Sequence, residues 1–515
     1  MSAAVEGPKE FEIKFSVDHV AIDRIFKLKL LDRPSFGRAQ RVQTVYFDTA
    51  ENHLFNAGIT LRWRKLGSRK PVMTFKVAGS PIASLFERTE IEVPAGQNGI
   101  DLALFGTDIS NHVLKVTDGR ELLPRYQTSF KRIVTEIRSS QSAFEVAIDE
   151  GQFIDSDQAW PLHELELELK SGSPNDMLDF AKVLAIKAGL RLEMTSKSER
   201  CFILAGVQKQ KRYKEEKQRI HPEMQLDAVI VGILAEGMRH FTDHIQPFRD
   251  EADARSVHQM RVGLRRLRTA LKAFDKAFPQ ASFAHFSARA RELASGLGLA
   301  RECDAFQELV FTQPLAHRNC PDDAKYLEAS LISLRAQAYA GAMDVINGLG
   351  TTLFILDLQS YIARRGWRSE IADLALATLT ETADRFAKRT LDDLLAKAKK
   401  RGKALIEKSD EERHEFRIAL KKLRYNAQFF APLFKNAKLY RNWSDNLVPL
   451  QNSLGISNDL AGAQEMLNRL SAQELGDFSC STGFILGWFS SQTETADAKI
   501  DKQWKKFRKM QTFWN

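Results

Sequence analysis

The chain has 515 residues, 43% hydrophobic and 27% charged, too long for one ordinary core and too apolar for a disordered chain. Its 75 Lys+Arg outweigh 66 Asp+Glu, for a net charge of +9, so an anionic partner is favoured: nucleic acid, membrane surface or phosphate polymer. No apolar run nears the ~20 residues of a membrane span, MSAAVEGPKEFEIKF lacks a secretory h-region, and Cys201, Cys303, Cys320 and Cys480 have no zinc or disulfide spacing; a cytoplasmic protein with no membrane partner is expected.

Up to about Cys201 the pattern has period two. Strands are predicted over 10–15, 44–49, 60–65, 72–77, 88–93, 144–149 and 164–169, with helices over 18–29 and 175–188. A basic stretch, KQKRYKEEKQR, follows at 209–219. Beyond it the chain reads as helix almost throughout, rich in Ala, Leu, Lys, Arg and Glu. The predicted organisation is a domain over 1–205, a basic linker over 206–219 and a helical domain over 220–515.

In the first domain the charges share one face of each strand. Glu10, Glu12 and Lys14 alternate with Phe11, Ile13 and Phe15, and Glu164, Glu166 and Glu168 alternate with Leu165, Leu167 and Leu169. Three glutamates in a row repel each other unless cations face them, and Arg62, Arg64 and Lys76 occupy equivalent faces of other strands. A closed barrel with a polar lumen accounts for both sets. Carboxylates bind a hard divalent metal through oxygen, and arginine and lysine clamp phosphate oxygens. Together they suit a metal-bridged polyphosphate.

Glu10-x-Glu12-x-Lys14 resembles the signature of the CYTH superfamily, the triphosphate tunnel metalloenzymes. The likeness continues in order through YFDT (46–49), Leu61-Arg62-x-Arg64, Thr74-x-Lys76, Arg88-x-Glu90, Arg132, Asp149-x-Gly151, ELELEL-x-SG (164–172) and Ser196-Lys197-Ser198. It implies an α+β domain built on an eight-stranded antiparallel β-tunnel that hydrolyses triphosphate-bearing substrates. It further implies Glu10, Glu12, Glu166 and Glu168 as holders of Mg²⁺ or Mn²⁺, with Asp149 in the metal or water shell. Lys14, Arg62, Arg64, Lys76, Arg132 and Lys197 would bind phosphate oxygens, and Glu10, Glu12, Lys14 and Lys197 would be catalytic. Arg88, Glu90 and Glu164 are placed near the lumen by alternation alone.

The helical half contains a duplication. HQMRVGLRRLR (258–268) aligns with HEFRIALKKLR (414–424), and Leu297-Gly298-x-x-Arg301-Glu302 with Leu454-Gly455-x-x-Asn458-Asp459. At about 100° per residue, His258, Arg261, Arg265, Arg268 and Lys272 form one stripe, opposite Leu264, Leu267, Leu271 and Phe274. His414, Arg417, Lys421 and Arg424 form the second, opposite Phe416, Leu420, Leu423 and Phe430. A stripe of positive charge alone lacks the Glu–Lys pairs of solvated helices, and a polyanion would relieve it. This repeat resembles the CHAD family, all-α duplicated bundles that bind inorganic polyphosphate along a basic groove; the nine residues of the two stripes are then its polyphosphate ligands.

The combined expectation is metal-dependent hydrolysis of inorganic triphosphate with a polyphosphate-binding C-terminal module. The rivals are a nucleotide-directed tunnel enzyme (an adenylate cyclase, or a nucleoside or thiamine triphosphatase) and a non-catalytic polyphosphate scaffold. Nucleic acid is disfavoured as a partner, because the basic helices interleave few aromatics for stacking on bases. Since the tunnel charges all precede the linker, a fragment ending near residue 205 is expected to stay catalytic.

Overall fold

The structure, a computed structural model, describes residues 8–28, 36–78, 86–96, 99–139, 141–207, 220–316, 321–403, 409–473 and 475–515. Cys320 and nearly all of the expected linker, from residue 208, lie outside them. The chain divides into two compact units: Met1–Glu215 with Asn347–Arg364, and Glu216–Ile346 with Arg365–Asn515.

The first unit is an antiparallel barrel of eight strands: β1 (Lys9–Ser16), β2 (Gln40–Asp48), β3 (Ile59–Leu66), β4 (Val72–Ala78), β5 (Glu87–Pro94), β6 (Leu123–Ser139), β7 (Ser142–Asp155) and β8 (Gln158–Ser171). They run in the order β5-β4-β3-β2-β6-β7-β8-β1, and β1 pairing with β5 closes the ring. The expected strands all form. β6, which was not among them, is the longest; Tyr126, Thr128 and Phe130 alternate there with Arg125, Gln127 and Ser129. One edge of β1 is shared: β5 pairs with residues 9–11, and a short β9 (Arg191–Glu193) pairs with 14–16.

Because side chains alternate across each strand, Leu162, Glu164, Glu166 and Glu168 point the same way along β8. Side-chain exposure rises from 0% at Glu164 to 14% at Glu166 and 28% at Glu168, so the tunnel deepens toward Leu162. There Val42, Tyr46, Phe130, Phe153, Leu162 and Phe202 form an apolar plug. The outward faces of β3 and β4 bury Leu61, Met73 and Phe75 with Ile109 and Val113 of the helix Thr107–Thr117. Gly151 lets β7 and β6 meet: a Cβ there would lie 2.2 Å from the Ser129 carbonyl oxygen and 2.4 Å from Phe130 Cα.

The two expected helices appear as His19–Lys27, capped by Asp18, and Pro174–Ala188, capped by Ser173 and ended by Gly189 at φ 72°. A third, Leu349–Arg364, packs on the Pro174–Ala188 helix and on β9 within this same unit. It lies inside the span expected to be wholly C-terminal domain, so that expectation is not met for Asn347–Arg364.

The second unit is all helix. Ala254–Ala277 starts at the Asp253 cap and Asp410–Phe430 at a Ser409–Glu412 capping box. Leu264, Leu267, Leu271 and Phe274 are buried on the first, and Phe416, Leu420, Leu423 and Phe430 on the second. Gly263 permits close packing on Leu226–Thr242, since a Cβ would meet Phe241 N at 2.7 Å. Among the described residues no single helix is long and apolar enough to cross a membrane.

Candidate functional site

A cavity of about 420 Å³ opens inside the barrel. Glu10, Glu12 and Lys14 line it from β1, Arg62 and Arg64 from β3, Lys76 from β4, Arg88, Glu90 and Glu92 from β5, Arg132 from β6, Glu145 from β7, and Glu166 and Glu168 from β8. Lys197 enters as the first residue of the helix Lys197–Leu204, whose cap Ser196 accepts from Glu199 N at 3.2 Å. Apart from Pro8, Leu169 and the Tyr46 ring, every lining side chain is polar or charged.

Cross-strand register sorts the charges. Glu12 is opposite Glu168 and Lys14 opposite Glu166 on the β1–β8 ladder, and Arg132 is opposite Asp149 on β6–β7. Near the mouth, Lys76 contacts Glu10 and lies 3.1 Å from Glu12 and 2.9 Å from Glu90. Arg62 lies 2.9 Å from Glu90. At depth, Lys197 contacts Glu164 and lies 2.7 Å from Glu166 and 2.9 Å from Asp149.

Asp149, expected among the metal or water ligands, is fully buried and outside the cavity lining. Its two oxygens accept from Arg132 Nε and Nη2, each at 2.7 Å. Oxygens of Asp149, Glu164 and Glu166 come within 4.8 Å of one another, but the Lys197 ammonium already bridges all three. In this geometry Asp149 holds the two deepest cations in place. Asp48 of the YFDT run is structural too: it accepts from the backbone N–H of Thr49, Leu54 and Phe55 at 2.7–2.8 Å.

The electrostatics follow from crowding. Burial raises Glu10 to about 8, helped by Glu90 and by the charge of Glu12. Burial lifts Glu164 to about 7, against the pull of Lys197. Burial would raise Glu166 as well, but Lys197, Arg132 and Lys14 hold it well below the carboxylate range. Burial depresses the Lys14 ammonium, which Glu12 only partly restores. The carboxyl of Glu12 acts on that of Glu166, and that of Glu10 on that of Glu90, each raising or lowering the other's proton affinity. Carboxyls that close need a shared proton or an intervening cation, and an all-oxygen donor set fits Mg²⁺ or Mn²⁺. On three other lining residues, Arg62 Nε, Arg64 Nε and the Tyr46 hydroxyl are buried with no hydrogen-bond partner among the described residues. Tyr46 was legible only as part of a motif, with no role attached.

The second unit brings its two basic helices together. Arg265, from the first repeat, and Arg424, from the second, each lie 5.2 Å from the same Tyr425 ring. Burial, then Arg417, Arg265 and Arg424, press Lys421 down to about 8. Burial and neighbouring Arg301, Arg265 and Arg261 lower His258, and burial, Arg268, Lys422 and Arg291 lower Lys272. Arg291 and Arg301, from the helices Phe283–Gly296 and Gly298–Thr312, are cations beside the first stripe that the helical stripes alone did not predict. Carboxylates moderate the field: Glu302 acts on Arg261, Glu308 on His258 and Asp459 on Arg417. His414 is exposed on the second helix.

The chain thus joins a closed antiparallel tunnel lined by carboxylates and guanidinium groups to a helical unit in which two duplicated basic helices meet. The chain carries a CYTH domain, matched over residues 8–202, followed by a CHAD domain, matched over 232–468. It is similar to an inorganic triphosphatase of Haemophilus influenzae, 27% identical over 32% of this chain and 46% of that one; the chain thus spans about half the length of that relative. It is also similar to an uncharacterized protein of Mycobacterium tuberculosis, 24% identical over 98% of this chain and 99% of that one. Among solved structures it is similar to the CHAD domain from the plant Ricinus communis, with TM-score 0.49 and 23% identity over 59% of this chain and 98% of that one.

Proposed function

We propose that the tunnel hydrolyses inorganic triphosphate with a divalent metal, and that the helical unit binds inorganic polyphosphate along its basic groove, in a cytoplasmic protein. The observation that carries the first half is the cavity's division of labour: opposed carboxyls on β1, β5 and β8, and buried donors on Arg62, Arg64 and Tyr46 that have no partner among the described residues. The likeness to the Haemophilus protein supports the same chemistry. Glu10, Glu12, Glu166 and Glu168 would hold Mg²⁺ or Mn²⁺, which when bound supplies positive charge against phosphoryl oxygens. Arg62, Arg64, Lys76 and Arg132 orient the phosphate chain. Lys14 and Lys197 bring ammonium groups to where negative charge gathers, with water largely excluded. Among the described residues the lining offers no apolar slot for a purine or thiazolium ring, which favours inorganic triphosphate over ATP or thiamine triphosphate.

The test is a substrate panel of triphosphate, ATP, thiamine triphosphate and long polyphosphate, assayed for phosphate release with Mg²⁺, Mn²⁺ or EDTA. Triphosphate should be cleaved fastest, and only with metal; full activity in EDTA would falsify the metal role.

The groove has its own pH signature. Lys421, at about 8 when free, regains its proton beside a polyanion, so binding takes up protons near that pH and weakens as pH rises from about 7 to 9. Calorimetry in two buffers of different ionisation heat measures the uptake. Lys421→Arg, charged throughout, should bind well and flatten the dependence; if Lys421→Arg takes up as many protons as wild type, the signal comes from elsewhere.

A further inference from the structure

We infer that the helix Leu349–Arg364, encoded far from the barrel strands, is a positioning element of the tunnel site, with Thr352 on the helix and Asn347 just before it as the positioning residues. The inference rests on the proposed triphosphatase reading for its activity readout only.

The seam runs through β9. Leu192 N donates to Thr352 Oγ1 at 3.1 Å, with both groups buried. Arg191 reaches in two directions, to Asn347 Oδ1 at 2.9 Å and to Ser16 Oγ at 2.9 Å, and so ties the start of the helical segment to the end of β1. Lys182 with Asp357 at 3.2 Å, and Arg364 with the Asn175 carbonyl at 3.1 Å, fasten the same helix along Pro174–Ala188.

β9 has three residues, too few to hold a register unaided, yet two tunnel lysines depend on it. Glu193 is opposite Lys14 on β1. Thr195 N donates to Glu193 Oε1 at 2.9 Å; Ser196 then caps the helix that begins at Lys197. Thr352 is therefore the acceptor that keeps β9 seated, and β9 sets where Lys197 enters among Asp149, Glu164 and Glu166. A chain cut near residue 205 carries every tunnel charge but leaves the Leu192 N–H without its acceptor, so the expectation that such a fragment stays catalytic is not retained.

The test uses the full chain with Thr352→Val, Thr352→Ser, Asn347→Ala and the Val/Ala double variant. Two readouts are compared with wild type: amide hydrogen exchange across 191–197, and triphosphate turnover. The double variant should exchange faster over 191–197 while polyphosphate affinity holds within about twofold, and kcat should fall on the order of tenfold to a hundredfold with KM little changed, as for a displaced reacting group. Thr352→Ser, which keeps the hydroxyl, should restore both readouts. Unchanged exchange in the double variant overturns the inference, and so does faster exchange with wild-type kcat, because the helix would then merely cover the barrel. If wild type cleaves no triphosphate, the functional reading fails by itself, and the exchange data and the Ser rescue still decide whether this helix seats β9.

Discussion

Replacing Lys197 with methionine is expected to lower triphosphate turnover by about 10²–10³-fold, the scale of one lost transition-state donor, ~2.7–4 kcal/mol. The expectation comes from position. Lys197 is 4% exposed and bridges Asp149, Glu164 and Glu166, which puts its charge among the deepest carboxylates. The same substitution takes away one of the cations of Asp149, Glu164 and Glu166, leaving Arg132 for the first and third and Arg200 for the second, and breaking a buried ion cluster costs up to roughly 3–5 kcal/mol of stability. Thermal denaturation is therefore measured beside kcat: a lower melting temperature with the fold intact at assay temperature separates the two effects. Glu12→Gln supplies the contrast. It removes a carboxylate from the Glu12–Glu166 pair, so its loss of activity should be partly recovered by excess Mg²⁺ or Mn²⁺, whereas no metal concentration should recover the Lys197 variant. Near-normal turnover in both folded variants would sink the tunnel assignment.

Much of this site was legible because a strand writes its two faces into sequence with period two: Glu10, Glu12 and Lys14, and Glu164, Glu166 and Glu168, could be placed on one side without knowing their neighbours. What alternation cannot supply is register. Asp149 and Glu168 look equivalent in sequence, yet pairing sets Asp149 directly against Arg132 and Glu168 across from Glu12 near the mouth. One carboxylate therefore anchors cations while the other faces the cavity. The same limit hid Arg291 and Arg301, which come beside the first stripe only through helix packing. It also hid Asn347–Arg364, whose apolar run reads like any core helix and carries no sign of the unit that it packs into. β6 was missed for a local reason: lysine, arginine and glutamate interrupt its alternation beyond Phe130, where the strand passes from the apolar plug to the charged lumen.

Charge reversal at Arg265 and Arg268 should weaken polyphosphate binding on the order of 10²–10⁴-fold, the scale of two charge-assisted contacts at about 1.5–3 kcal/mol each. Reversal at Lys421 and Arg424 should cost about as much. The reason is geometric: Arg265 and Arg424 pack against one Tyr425 ring, and Arg265 bears on the Lys421 ammonium, so a single chain laid in the groove meets both helices. Combining the two sets should nearly abolish binding without simple additivity, because each reversed pair also places acid beside the other's remaining cations. Each lost phosphate contact should reduce the salt slope, by roughly 0.7 if a flexible phosphate chain releases counterions as single-stranded nucleic acid does. Short triphosphate should bind far less tightly than polymer, since it cannot span both helices and forfeits the intramolecular second contact. Duplex DNA should bind weakly for want of width between the helices. Titration calorimetry on wild type and the three variants at two salt concentrations measures all of this. If one set of reversals leaves affinity and slope unchanged, that repeat is structural and its partner alone binds; if DNA matches polyphosphate, the groove selects charge and not the phosphate chain.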